Sequence, residues 1–189
     1  MSGGFHVHGP HDHQVEHAAH GGDDYAGKIA VMTAILSSIG AFVSYQGGAS
    51  QNNAMLYKNE ASIKQTEATN KWNHYQAKSS KQNIAELAKD LTPPEKHAAY
   101  QVDIERYQKE KADLKKEAES FQKQSEDAEK ASDHAMHLHH RWAQAMTAIQ
   151  IAISLSAITL LTRRKWLEYM TVLIAAVGIV LSALAMMFK

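Results

Sequence analysis

The sequence predicts an all-α membrane protein with three transmembrane helices and a long antiparallel, coiled-coil-like helical hairpin inserted between the first and second. Three observations predict it. Runs with almost no charge occupy Ile29–Gln46, Ala143–Thr162 and Trp166–Phe188, the last broken only by Glu168; about 20 apolar residues at about 1.5 Å rise each span a hydrocarbon core of about 30 Å. Between the first two runs lies a segment crowded with Lys, Glu, Gln and Ala and patterned in helical steps of three and four. Thr92-Pro93-Pro94 sits midway, so the two flanking arms are about equally long and both return to one membrane surface.

The 20 Lys and Arg residues balance 20 Asp and Glu residues, so no nucleic-acid partner is expected of the chain. It has no cysteine, which removes disulfides, thiolate metal sites and cysteine nucleophiles.

Residues 1–24 read as a flexible His-rich tail, without the apolar periodicity needed to fold alone. His11, His13, His17 and His20 in it are candidate loose ligands for copper, zinc or nickel. The first transmembrane helix covers 25–46. Asp23 and Asp24 precede it, with only Lys28 as a cation, and this favours an anchor over a cleaved signal. Its small residues, among them Ala34, Ser38 and Gly40, let helix backbones approach closely in lipid. Gly47-Gly48 reads as a hinge or helix break.

The extramembrane hairpin covers 47–141, with its tip at 92–94. In the first arm, steps of three and four predict a seam through Leu56, Asn59, Ile63, Thr66, Asn70, Asn73, Ala77, Ser80, Ile84, Leu87 and Leu91. Trp72 and Tyr75 fall on a neighbouring stripe with Ala61, Gln65 and Ala68. That stripe is either a second contact surface, with Lys78 beside it, or the hairpin's own flank. At the tip, Thr92 reads as the cap of the next helix, with Glu95 completing a capping box. The second arm runs Tyr100, Ile104, Tyr107, Lys111, Leu114, Ala118, Phe121, Ser125, Ala128, Ser132, Ala135, His139, Trp142, Met146 and Ile149, with no Gly or Pro. This implies one helix of roughly 65 residues, or about 100 Å. Pairing the arms sets Ile84 against Ile104, Asn73 against Lys115 and Ile63 against Ser125, giving an apolar tip and a polar base. A polar two-helix base buries little and asks for an oligomer or a partner.

The second transmembrane helix covers 142–162 and the third 166–188, joined by the basic loop Arg163-Arg164-Lys165. Short basic loops stay in the cytoplasm, which places the hairpin on the non-cytoplasmic side. Gly178 and Ser182, four apart, make another close-packing face. Gln144 and Gln150 are amides in a span, where they bond a neighbouring helix or line a pore.

Asp133, His134, His137 and His140 recur at single-turn spacings and form the other candidate transition-metal cluster. The alternative is that His, Arg141 and Trp142 gather at the membrane interface, where amphipathic side chains settle. No phosphate-binding Gly loop, nucleophile with a base, or carboxylate pair is evident, so an enzyme is not expected and no cofactor is assigned beyond a possible transition metal.

With these residues in view, the chain resembles the bacterial membrane-protein family known as domain of unknown function 4337. The resemblance rests on Asn53-Ala54 through Ser62, on Trp72-Asn73-His74-Tyr75-Gln76-Ala77-Lys78-Ser79, on His140-Arg141-Trp142 to Ile153, and on Thr162 through Leu167. It implies a three-span inner-membrane protein with a helical hairpin and no assigned activity. The expectation is an oligomeric scaffold or accessory subunit of a larger membrane complex, in contact with lipid and with copies of itself or another membrane protein. Metal handling and an oligomeric channel are the alternatives.

Overall fold

A computed structural model describes residues 24–187, and every regular element among them is helical. Helix α1 spans Asp24–Leu91, a single 3-10 turn spans Pro94–Lys96, α2 spans His97–Thr162, and α3 spans Lys165–Met187. All three α-helices are long and apolar enough to cross a membrane over part of their length. The candidate ligands His11, His13, His17 and His20 lie outside the described residues.

Two local expectations are corrected. Helix α1 continues through Gly47-Gly48 without a break. Gly47 is buried there, and a Cβ on it would lie 3.3 Å from Trp142 Cβ. The missing side chain therefore serves close helix approach, not bending. Thr92 ends α1 instead of capping the next helix: its Oγ1 donates to the carbonyl of Ala88 at 2.8 Å, and Pro93 caps the 3-10 turn without a side-chain bond. A threonine hydroxyl satisfies an orphan carbonyl at a helix C-terminus as readily as an amide at an N-terminus.

By contact the helices divide into one unit of residues 24–51 with 136–187 and a second unit, Asn52–Ala135.

In the first unit, Val43, Trp142, Ala145, Ile149 and Ala185 form one buried cluster, and Leu36, Ala152 and Ala175 another. Ile149, fully buried, is the wedge: it meets Gly40 of α1 on one side and Gly178 of α3 on the other. Hydroxyls join the helices in pairs. Thr33 Oγ1 lies 2.8 Å from Ser156 Oγ, linking α1 to α2, and Thr159 Oγ1 lies 3.4 Å from Thr171 Oγ1, linking α2 to α3. Each of these oxygens also lies within 2.8 Å of a carbonyl of its own helix; with one proton per hydroxyl, one member of each pair donates to that carbonyl while the other donates across to it. Lys28 Nζ meets Glu168 Oε1 at 3.1 Å, so the one acid in the third apolar run is paired. The turn from α2 to α3 places Arg163 in the left-handed region, with φ 54°, while its amide bonds the Thr159 carbonyl at 2.8 Å. Large apolar side chains face outward, including Val31, Ile35, Phe42, Ile151, Leu173, Ile179 and Val180.

In the second unit, contacts between α1 and α2 have an antiparallel register: as residue numbers rise in one helix they fall in the other, from Ala54 with Ser132, to Ala61 with Ser125, to Lys78 with Glu110, to Lys89 with Gln101.

Candidate functional site

The seam of the second unit is built from small residues. Ala54, Ala61 and Ala68, seven apart on α1, are buried, as are Ala118, Ser125 and Ser132, seven apart on α2. A strict seven-residue repeat keeps one face of a helix toward its partner. With no side chain beyond Cβ, the α1 backbone comes within hydrogen-bond reach of α2: Ser125 Oγ donates to the Ala61 carbonyl and Ser132 Oγ to the Ala54 carbonyl, both at 2.8 Å. In the first unit the same repeat continues with His139, whose Nδ1 lies 2.9 Å from the Gly47 carbonyl. A carbonyl only accepts, so Nδ1 carries the proton.

Between these small-residue levels and on toward the tip, lysines pack over aromatic rings. Lys64 Nζ lies 5.4 Å from the centre of the Phe121 ring, Lys111 Nζ lies 5.2 Å from that of Tyr75, and Lys78 Nζ lies 5.5 Å from that of Tyr107. Lysine stems lie along the apolar seam while their heads stay wet. Ion pairs flank the layers, each with its Lys on α1 and its Glu on α2: Lys58 with Glu129, Lys71 with Glu117, and Lys78 with Glu110. The hydrogen bond from Lys78 holds the Glu110 carboxyl below its usual range, against partial desolvation and with help from the charges of Lys78, Arg106 and Lys81.

This arrangement overturns the seam expected for the first arm. Leu56, Ile63, Ile84, Leu87 and Leu91 are all exposed, and the inward series lies two residues earlier, at the buried Ala54, Ala61, Ala68 and Gln82 and the half-buried Tyr75. Two residues turn a helix by about 200°, so the expected seam is the opposite face. The pairing of Ile84 with Ile104 fails for the same reason, since Ile104 is buried and Ile84 is not. The expected polar base is instead closely packed and serine-bonded. The α2 series holds throughout: Tyr100, Ile104 and each later member to Ile149 are buried or half-buried.

The remaining predicted residues separate. Tyr75 belongs to the seam, and Trp72, half-buried beside it, presents an edge to its ring at 5.6 Å between centres. The stripe is thus at least in part the flank of the α1–α2 pair. Gln144 and Gln150 are both exposed on the outside of the first unit, with Gln144 beside Arg141 and Leu184 in a shallow cleft. Asp133, His134, His137 and His140 are exposed along α2, and among the described residues no three His, Asp or Glu side chains are grouped to hold a metal ion. An apolar groove of about 390 Å³ on the first unit is lined by Met32, Ile35, Leu36 and Ile39 of α1 and by Val172 and Ala175 of α3.

Sequence reasoning missed the two serine straps and the Gly40–Ile149–Gly178 wedge. The repeat Gly47, Ala54, Ala61, Ala68 was the available signal for the straps; for the wedge, Gly40 and Gly178 were legible as close-packing residues, but their meeting on Ile149 needs three helices placed together.

Among the described residues, these features define an all-helical architecture with three helices apolar enough to span a membrane. The chain belongs to the family described as Domain of unknown function (DUF4337), which it matches over residues 25–188. No curated protein and no solved structure shows significant similarity to it.

Proposed function

We propose that the protein is a non-enzymatic, multi-pass protein of the bacterial inner membrane that works as an oligomeric scaffold or accessory subunit of a larger membrane complex. Its three apolar helices are the spans, and residues 52–135 form an antiparallel hairpin outside the bilayer. The many large apolar side chains exposed on the first unit, among them Val31, Ile35, Leu173, Ile179 and Val180, support the spans, since large exposed apolar patches are rare on water-soluble proteins. The Arg163-Arg164-Lys165 turn supports a hairpin on the non-cytoplasmic side.

The observation that carries the assembly reading is the inverted arrangement of α1, with alanines buried and Leu56, Ile63, Ile84 and Leu87 exposed. The α1 arm meets α2 with its small residues and leaves its large aliphatic ones for another surface. Gln144 and Gln150 add to it, because an outward amide within a span is costly in lipid and is relieved by a neighbouring helix. Native mass spectrometry of the full chain in mild detergent tests the reading. Oligomers or a stoichiometric co-purifying membrane protein are expected; free monomer alone refutes it.

A further inference from the structure

The face of α1 that α2 leaves uncovered carries its own heptad pattern. Steps of three and four from Leu56 to Leu91 meet no charged residue, although Lys58, Glu60, Lys64, Glu67, Lys71 and Lys78 crowd the same stretch. Leu56, Ile63, Ile84, Leu87 and Leu91 in this series are 57–77% exposed. Charge excluded from one stripe over five heptads is unneeded by a solvated face but required of a face that another helix covers.

We infer that this stripe is a homodimer interface, in which the α1 arm of a second copy of this chain packs in parallel and in register along 56–91. The inference rests on the membrane-anchored reading above: two copies entering one membrane through the same end of α1 can pair these arms only in parallel. In that pairing every position of the stripe meets itself. Asn59, Asn70 and Asn73, all exposed, then lie opposite their own copies, where an amide supplies both donor and acceptor; asparagine at such positions fixes strand number and register at a cost in stability. The flanking positions agree. Ser62 comes opposite Glu67 of the partner subunit, Thr69 opposite His74 of the partner subunit, and Gln76 opposite Lys81 of the partner subunit, so no like charges meet. The polar middle makes the contact weak for free helices. Confinement to one membrane raises the local concentration of the arms and compensates.

Because the chain has no cysteine, single substitutions report the geometry directly. Ile63→Cys and Leu87→Cys sit at the two ends of the stripe, and Ala112→Cys on the exposed side of α2 is the control. The full chain is oxidised in native membranes, and disulfide-linked dimer is measured alongside native mass spectrometry of the same preparations. A disulfide needs Cα atoms within about 7 Å, so both ends of the stripe should cross-link at least about tenfold more than Ala112→Cys. Adding Ile84→Asp to Leu87→Cys should abolish the cross-link and leave helicity unchanged. Cross-linking at the control level from protein that is oligomeric by mass overturns this interface and leaves the assembly reading standing. Monomeric protein overturns both. Cross-linking at one end only overturns the parallel register.

Discussion

Gly178→Ala tests whether the three-helix unit is held by close packing around Ile149. A Cβ at residue 178 would lie 2.7 Å from Ile149 Cγ1, 3.2 Å from Ile149 N and 3.4 Å from the Ala145 carbonyl oxygen. The first contact is shorter than carbon atoms tolerate. It falls on a β-branched, fully buried side chain whose other branch already lies 3.3 Å from the Cβ position of Gly40. Ile149 therefore has nowhere to retreat. Overpacking of this kind costs about 1–3 kcal/mol, while Gly to Ala in a helix interior gains about 1 kcal/mol, so a net loss of up to about 2 kcal/mol is expected. Gly48→Ala isolates the packing cost, because it gives the same helix gain with nothing within 4 Å of the new Cβ. Unfolding of the full chain by titration with sodium dodecyl sulfate, followed by circular dichroism, should separate the two variants by about 1–3 kcal/mol. In an Ile149→Ala background the atom at 2.7 Å is gone, and Gly178→Ala should become neutral or mildly stabilising. Equal stability of Gly178→Ala and Gly48→Ala, or additive effects in the cycle, would refute the wedge.

Three further outcomes follow from the seam. Ser125→Ala and Ser132→Ala should each lose about 0.5–1 kcal/mol in denaturant unfolding, at the low end for a hydrogen bond because the Ala61 and Ala54 carbonyls belong to a continuous helix; no change in either would remove the straps from the account. In monomeric protein, Ile104→Ala, at a buried position, should cost about 2 kcal/mol or more, whereas Ile84→Ala, on the face that α2 leaves exposed, should stay within about 0.5 kcal/mol. The reverse order would restore the seam first expected from the sequence. Glu110 has a folded-state pKa below its unfolded value, so its contribution is complete above the unfolded pKa and is lost as pH falls through the folded one. A carboxyl titration followed by NMR should find Glu110 below the ordinary glutamate value and moved upward by Lys78→Met; an unmoved titration excludes Lys78 as the cause.

The legibility of this chain divides by what each signal depends on. The three apolar runs needed no knowledge of neighbours, since length and lack of charge alone make a helix able to cross a bilayer. The α2 seam was equally plain, because Ile104, Leu114, Phe121, Trp142 and Ile149 fall on the same face as Ala118 and Ser125, so size and periodicity agree. On α1 they disagree. Leu and Ile mark one face and the repeat Gly47, Ala54, Ala61, Ala68 marks the other, and weighting by hydrophobicity selects the wrong one. Close approach of two backbones is favoured by the absence of side chain, a property that hydrophobic patterning scores as nothing, and Gly47 read as a hinge is the same error in miniature. Yet a face chosen for its Leu and Ile, kept free of charge over the length of the arm and left uncovered by α2, is not a random surface. The two periodic faces of α1 therefore differ in kind: the small-residue face is occupied by α2, and the large-residue face is the one on which the proposed pairing with a second copy would form.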